Sequence, residues 1–182
     1  DSTLYNDMTF QTSLAMNLLR ETSPNSVSTI KTSDIGWEEL PNNTEFINAN
    51  YDILQGTYPD NANELLLVVD SYNTIEVDFL SAIGLSQSEG SLDFSDLIGL
   101  DFKIAMNDTY YTYSSISGLY SVSTDLESVY SDASSITVEI SGIARVKEDA
   151  NGTILSEGIK FHPSLEDSLM SNASASQIAL AQ

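Results

Sequence analysis

From Glu64 to Asp70 the chain carries five apolar residues without a break, Leu65-Leu66-Leu67-Val68-Val69. Such a run reads as a strand buried on both faces, while periodicity alone also admits a buried helical segment. Ahead of it, Tyr58-Pro59-Asp60-Asn61 is a turn cluster, because proline presets one dihedral and Asp or Asn can bond nearby backbone. Behind it, the polar corner Ser71-Tyr72-Asn73-Thr74 leads into Ile75 to Leu85. There Ile75, Phe79, Leu80 and Ile83 fall on one helical stripe, and Gly84 suits the left-handed position that ends a helix. The predicted unit is turn, buried strand, corner, short helix.

The flanking patterns are weaker. Thr9 or Thr12 caps a predicted helix running to about Arg20, with Phe10, Leu14, Leu18 and Leu19 inward and Ser23-Pro24-Asn25 stopping it. Val27 to Ser33 alternates weakly, as a strand does. Trp37 to Asn50 reads as a short helix and turn, broken at Leu40-Pro41 and resumed over Thr44 to Ala49, with Trp37, Phe46 and Ile47 as core anchors. Phe102 to Met106 and Thr109 to Tyr113 are strands joined by the Asn107-Asp108 turn, which predicts a hairpin. Leu126, Val129 and Tyr130 mark a helical turn or two. Ile136, Val138 and Ile140 alternate with polar residues, and the alternation slips at Gly142, as at a bulge. Lys147 to Gly152 is a loop whose Asn151-Gly152 suits a tight turn. Ile154-Leu155 and Ile159 to Phe161 are extended. A helix starts at Pro163-Ser164, with Ser164 and Asp167 at capping-box spacing and Leu165, Leu169 and Met170 inward. Strands and helices interleave without the beat of repeated βαβ units, so the expected fold is α+β, a mixed sheet with short helices.

At 182 residues the chain is long enough for one sizeable core, or for one domain of two lobes. Its 6 basic against 27 acidic residues leave a formal charge of −21. A nucleic-acid partner is therefore not expected, since no basic surface exists to displace counterions from phosphates. An anionic lipid surface is disfavoured on the same ground, whereas a cationic ligand would be attracted. Zero cysteines exclude disulfides, thiolate metal sites and cysteine nucleophiles. No stretch of about eighteen or more apolar residues offers a membrane span. With its abrupt start at Asp1, the chain reads as a soluble piece excised from something longer.

Chemistry is sparse. His162, the single histidine, sits beside Pro163 at a strand–helix junction, where a structural role outweighs that of a general base. The serines lack a G-x-S-x-G elbow and an S-x-x-K arrangement. Glu148 to Gly152 carries oxygen ligands near a glycine but misses the register of a calcium loop, and no nucleotide-binding glycine motif occurs. Neither a cofactor nor a metal is expected. One cluster stands out. Tyr110, Tyr111, Tyr113 and Tyr120, with Tyr130 beyond them, gather amid Ser and Gly. Tyr/Ser/Gly surfaces make adaptable partner contacts. Alternating tyrosines also suit strands, and this plainer reading weighs more.

The stretch YDILQGTYPDNANELLLVVDSYN, followed by a helix ending in Gly84-Leu85, resembles the extracellular segment of FtsX-like, MacB-type ABC-transporter permeases of Gram-positive bacteria. The likeness returns in Phe102-Lys103-Ile104, in Tyr110-Tyr111, in Ile140 to Arg145, in Lys147 to Ala150 and in Gly158-Ile159, covering roughly residues 37 to 170. It is a pattern of structural residues and speaks for fold and location more than for chemistry. The resemblance implies one extracellular domain over 1–182, set between two membrane helices, with a smaller second lobe within about 86–135. It implies a non-catalytic module on the outer face of the cell membrane. Its partners would be the membrane-spanning remainder of its own permease, a cytoplasmic ABC ATPase and, in a permease dimer, a second permease. An exported or sensed substrate, such as a peptide, lipoprotein or antimicrobial compound, would complete the system. From the residues alone, a free-standing secreted or surface-anchored binding protein for a cationic ligand is the alternative, and an extracellular hydrolase lacks a constellation to support it.

Overall fold

A computed structural model describes residues 16–85, 92–150, 155–174, 176 and 178. In chain order these form β1 (Asn17–Ser23), β2 (Ser26–Ile30), β3 (Glu38–Glu39), α1 (Thr44–Asn50), β4 (Tyr51–Gly56), β5 (Glu64–Val69), α2 (Val77–Ala82), β6 (Asp101–Ala105), α3 (Asn107–Tyr110), β7 (Tyr111–Ser114), β8 (Leu119–Val122), α4 (Leu126–Ser131), β9 (Ile136–Val146), β10 (Gly158–Phe161) and α5 (Ser164–Ser174).

The fold is α+β, with eight described strands in one mixed sheet ordered β2-β1-β6-β9-β5-β10-β3 and β4 also on β9. The longest strand, β9, is the axis. Its first half pairs with β6 and its second with β4, both antiparallel, while β5 runs parallel to it on the opposite edge. The register against β5 jumps from Ile140 to Gly142, so the bulge falls where the broken alternation predicts it, and Gly142 lies where β6 gives way to β4.

The Leu65–Val69 run is buried on both faces. Leu65, Leu67 and Val69 join the larger core with Phe79, Phe102, Ile143 and Phe161, while Leu66 and Val68 join a second core with Leu40, Ile47 and Tyr51. After it, the Asp70 carboxylate accepts from the amides of Tyr72 (2.9 Å) and Thr74 (2.7 Å), which shapes the corner. The helix that follows is shorter than the Ile75–Leu85 expectation, and Gly84 takes the left-handed φ of 77°. Its last turn has a partner no pattern foretold: the buried Arg20 guanidinium donates to the Ile83 carbonyl.

Four expectations are corrected. Asn17 to Arg20 is strand, not the end of a helix; the earlier part of that prediction lies outside the described residues. Leu18 enters the larger core and Leu19 a third one with Ala105, Tyr110 and Val129, so consecutive leucines face opposite sides, as only a strand allows. Glu38–Glu39 is a strand parallel to β10 where a helix was expected to open at Trp37, whose ring stacks on Phe161 at 5.3 Å. The hairpin of Phe102–Met106 with Thr109–Tyr113 does not form, because both edges of β6 are taken by β1 and β9. Asn107–Tyr110 is a helical turn instead, and β7 pairs with β8 in a separate two-stranded sheet. Met170, expected inward, is 55% exposed on α5. The predicted Ser86–Ser95 loop lies largely, and the Asn151-Gly152 turn wholly, outside the described residues.

Candidate functional site

Within the 86–135 window, β6 belongs to the main sheet, and residues 107–135 carry the second sheet and α4. The β7–β8 pair aligns Tyr111 with Val122, Tyr113 with Tyr120 and Ser114 with Leu119. Its tip closes through the Gly118 amide, which donates to the Ser114 carbonyl at 2.8 Å, with Gly118 at a φ of 68°.

The four tyrosines singled out by sequence separate by depth. Tyr110 is 6% exposed, packed with Leu19 and Val129, its hydroxyl 3.4 Å from Thr29 Oγ1. It anchors the hairpin and is not available to a partner. Tyr111 is half-buried and meets Tyr110 edge-on at 5.0 Å. Tyr113 and Tyr120 form an exposed cross-strand pair at 5.2 Å. Sequence reasoning did not single out Ile116, 99% exposed at the tip, nor the exposed Leu119 and Val122 beside it. The signal that marks them is charge: no residue from Thr109 to Thr124 is charged, although the chain carries −21 overall. An exposed, uncharged strand pair with apolar side chains lacks the protection that edge strands ordinarily carry.

Around the base of this hairpin the polar groups are committed. Asp125 caps α4 by accepting from the Ser128 amide at 3.0 Å. The Tyr130 hydroxyl donates to Asp101 at 3.2 Å; partial burial, then the Asp101 charge, pushes its pKa up to about 12. Lys103 lies over the Tyr130 ring at 4.9 Å.

Two clefts mark the body. One of about 280 Å³ lies between the ends of β1 and β6 and α5, lined by Met16, Ile104, Asp108 and Leu169. The other, of about 170 Å³, lies between the 3-10 turn Thr32–Ile35, the end of β5 and the start of α2. Both fall below the roughly 300 Å³ at which small-molecule pockets ordinarily begin. His162 lines neither; its Nδ1 sits 2.7 Å from Ser164 Oγ and 3.3 Å from the Ser164 amide, at the start of α5. Among the described residues no group of three His, Cys, Asp or Glu is placed to hold a metal ion.

No family model, curated protein or solved structure matches this chain. What the molecule can do is therefore read from its own surface. The hairpin offers aromatic and aliphatic area with hydroxyls interleaved, the composition of a contact surface that exchanges water for a protein partner.

Proposed function

We propose that this chain is a non-catalytic extracellular domain of an FtsX-like, MacB-type ABC-transporter permease. It couples ATP hydrolysis by a cytoplasmic ABC subunit to export of, or signalling about, an extracellular substrate such as a peptide, lipoprotein or antimicrobial compound. The observation that carries this reading is the uncharged tyrosine hairpin, paired in a sheet of its own beside a mixed α+β sheet, with Ile116 almost wholly exposed at its tip. A module that passes a change of posture to an outside partner needs a packed body and an exposed contact element; the buried clusters of the sheet and the exposed Tyr113, Ile116 and Tyr120 support that reading. The partners are the membrane-spanning remainder of the same permease, the ATPase subunit and a second permease in a dimer; the place is the outer face of the cell membrane. Among the described residues no helix is long and apolar enough to cross a membrane, so any spans would lie in flanking sequence.

The test is the parent gene, followed by topology. Spans of about twenty apolar residues on both flanks are expected. The chain has no cysteine, so Ile116→Cys or Glu127→Cys introduces a single thiol that a membrane-impermeant maleimide should label on intact cells. A signal peptide upstream with no span downstream would sink the permease reading and replace it with a secreted or surface-anchored binding protein for a cationic ligand.

A further inference from the structure

Of the two strands in the tyrosine hairpin, β8 is the open one: Leu119 to Val122 are all exposed, whereas β7 is half-buried at both ends. Among the described strands β8 pairs only with β7, so its outer edge carries unpaired backbone groups. The ladder decides which groups these are. The Ser123 amide donates to the Tyr110 carbonyl at 2.8 Å, and hydrogen-bonded pairs alternate along a register that matches Thr112 with Ser121 and Tyr113 with Tyr120. Ser121 therefore turns its amide and carbonyl toward β7, while Tyr120 and Val122 turn theirs outward. The usual guards of an edge are missing: Leu119 to Val122 holds no charge and no proline, and its register with β7 is unbroken.

Charge narrows the occupant. The chain holds 27 acidic residues, yet Thr109 to Thr124 has none. A basic partner is met best by carboxylates, and an edge without them suits a surface that is itself acidic. A second copy, at −21, is such a body, and two copies avoid like-charge contact only where both are uncharged. The side chains agree. Leu119 projects from one face of the strand pair, Tyr120 and Val122 from the other, so a flat partner on one face leaves the other in water. Edge-to-edge pairing gives neighbours to both.

We propose that β8 pairs antiparallel with β8 of a second copy across a two-fold axis at Ser121, joining the two hairpins into one continuous sheet. Tyr120 then exchanges main-chain bonds with Val122 of the second copy, which satisfies every outward group of both residues. Their side chains lie together on one face, an aromatic and β-branched pair of the kind that stabilises sheets. The exposed parts of Tyr113, Ile116, Leu119, Tyr120 and Val122 come to roughly 600 Å² per copy. A pair of hairpins therefore buries roughly 1,000 Å² in total, the low end for specific association. Such a dimer is weak in free solution and gains from tethering two copies close together. Because β7 is half-buried, β8 is the pairing edge, and the assembly closes at two copies. The assignment rests on the hairpin being the contact element of the proposed function, and names its partner.

The experiment is sedimentation equilibrium of the 182-residue chain from low micromolar to near-millimolar concentration, in low and in high salt. A monomer–dimer equilibrium is expected, at least about threefold tighter in high salt, because screening relieves the repulsion of two acidic bodies. Val122→Pro, which removes an outward donor and leaves the bonds to β7 in place, should weaken it at least about tenfold. Ser121→Cys sets two thiols across the axis on non-hydrogen-bonded opposite residues, with Cα atoms about 4.5 Å apart. It should oxidise to a dimer at least about tenfold faster than Ser117→Cys at the tip, a comparison that holds even if the proline variant folds poorly. A chain that stays monomeric throughout, associates more weakly in high salt, or oxidises equally from both positions would overturn the β8 pairing. Monomers that bind phosphatidylcholine vesicles through Ile116 would overturn it in favour of a lipid surface. A monomeric chain whose hairpin still cross-links to another protein in cells sinks the second copy alone. The contact-element reading falls only when Y113S/I116S/Y120S leaves cross-linking unchanged.

Discussion

The backbones of Gly36 and Gly158 cross so closely that neither can carry a side chain: a Cβ on Gly158 would lie 2.8 Å from Gly36 Cα, and one on Gly36 would lie 2.2 Å from the Glu157 carbonyl oxygen. Both also have positive φ, 59° and 111°. Overpacking and backbone strain act together here, so Gly36→Ala or Gly158→Ala should each cost at least about 2 kcal/mol in urea denaturation. Gly118, with φ 68° but open space around it, isolates the strain, and Gly118→Ala should cost about 1 kcal/mol.

Lys160 rests on the same crossing. Its ammonium is fully buried and donates to the Gly36 carbonyl and, at 3.0 Å, to Ser156 Oγ, with Glu38 at 3.2 Å. Lys160→Met would leave the carbonyl and the carboxylate without this partner, and about 3 kcal/mol of stability should be lost, read from the urea midpoint.

The same pair predicts a pH dependence. Burial pushes the Glu38 carboxyl up, but the Lys160 charge and the hydrogen bonds from Ser156 and Lys160 outweigh it, leaving the carboxyl below its ordinary 4.5. A carboxyl held down by folding adds stability that is complete above the unfolded value and lost as pH falls through the folded one. The stability gap between the native chain and Glu38→Gln should therefore be constant near neutrality and close as pH drops below about 4.5. Lys160 has the same sign in the alkaline range: burial holds it below 10.5 despite the pull of Glu38, so stability again rises as pH climbs from its folded toward its unfolded value. A gap that widens in acid would contradict the assignment.

Arg20 closes the last turn of α2. Arg20→Met should cost about 2 kcal/mol, because the Ile83 carbonyl then loses its buried donor. Amide exchange in α2 should quicken more than exchange in β5, which the helix covers but does not pair with.

The tyrosine hairpin separates anchoring from contact. Tyr110→Ala, emptying a site walled by Leu19, Ala105 and Val129, should cost about 3 kcal/mol. The triple change Y113S/I116S/Y120S, all exposed, should shift stability by less than about 1 kcal/mol while abolishing cross-linking of the hairpin to its partner in cells. Retained cross-linking would remove the hairpin from the proposed function.

Local pattern alone determined the elements whose burial is settled along the strand itself. The unbroken Leu65–Val69 run, the Ile136/Val138/Ile140 alternation with its slip at Gly142, the Gly84 stop and the Leu126–Tyr130 helix all stand where residue spacing puts them. The uncharged run from Thr109 to Thr124 was equally open to inspection. Tertiary structure decided what depends on a partner distant in sequence. Leu18 and Leu19 suit a helix until two cores claim opposite faces of β1. Thr109–Tyr113 suits a hairpin with β6 until β1 and β9 occupy both of its edges and leave β7 to pair with β8. The smaller cleft joins residues near 35, 75 and 157, brought together by strand pairing and a crossing of two glycines. Side-chain periodicity records which way a residue faces, but an edge accepts only one neighbour, and which strand takes it is settled by competition across the whole chain.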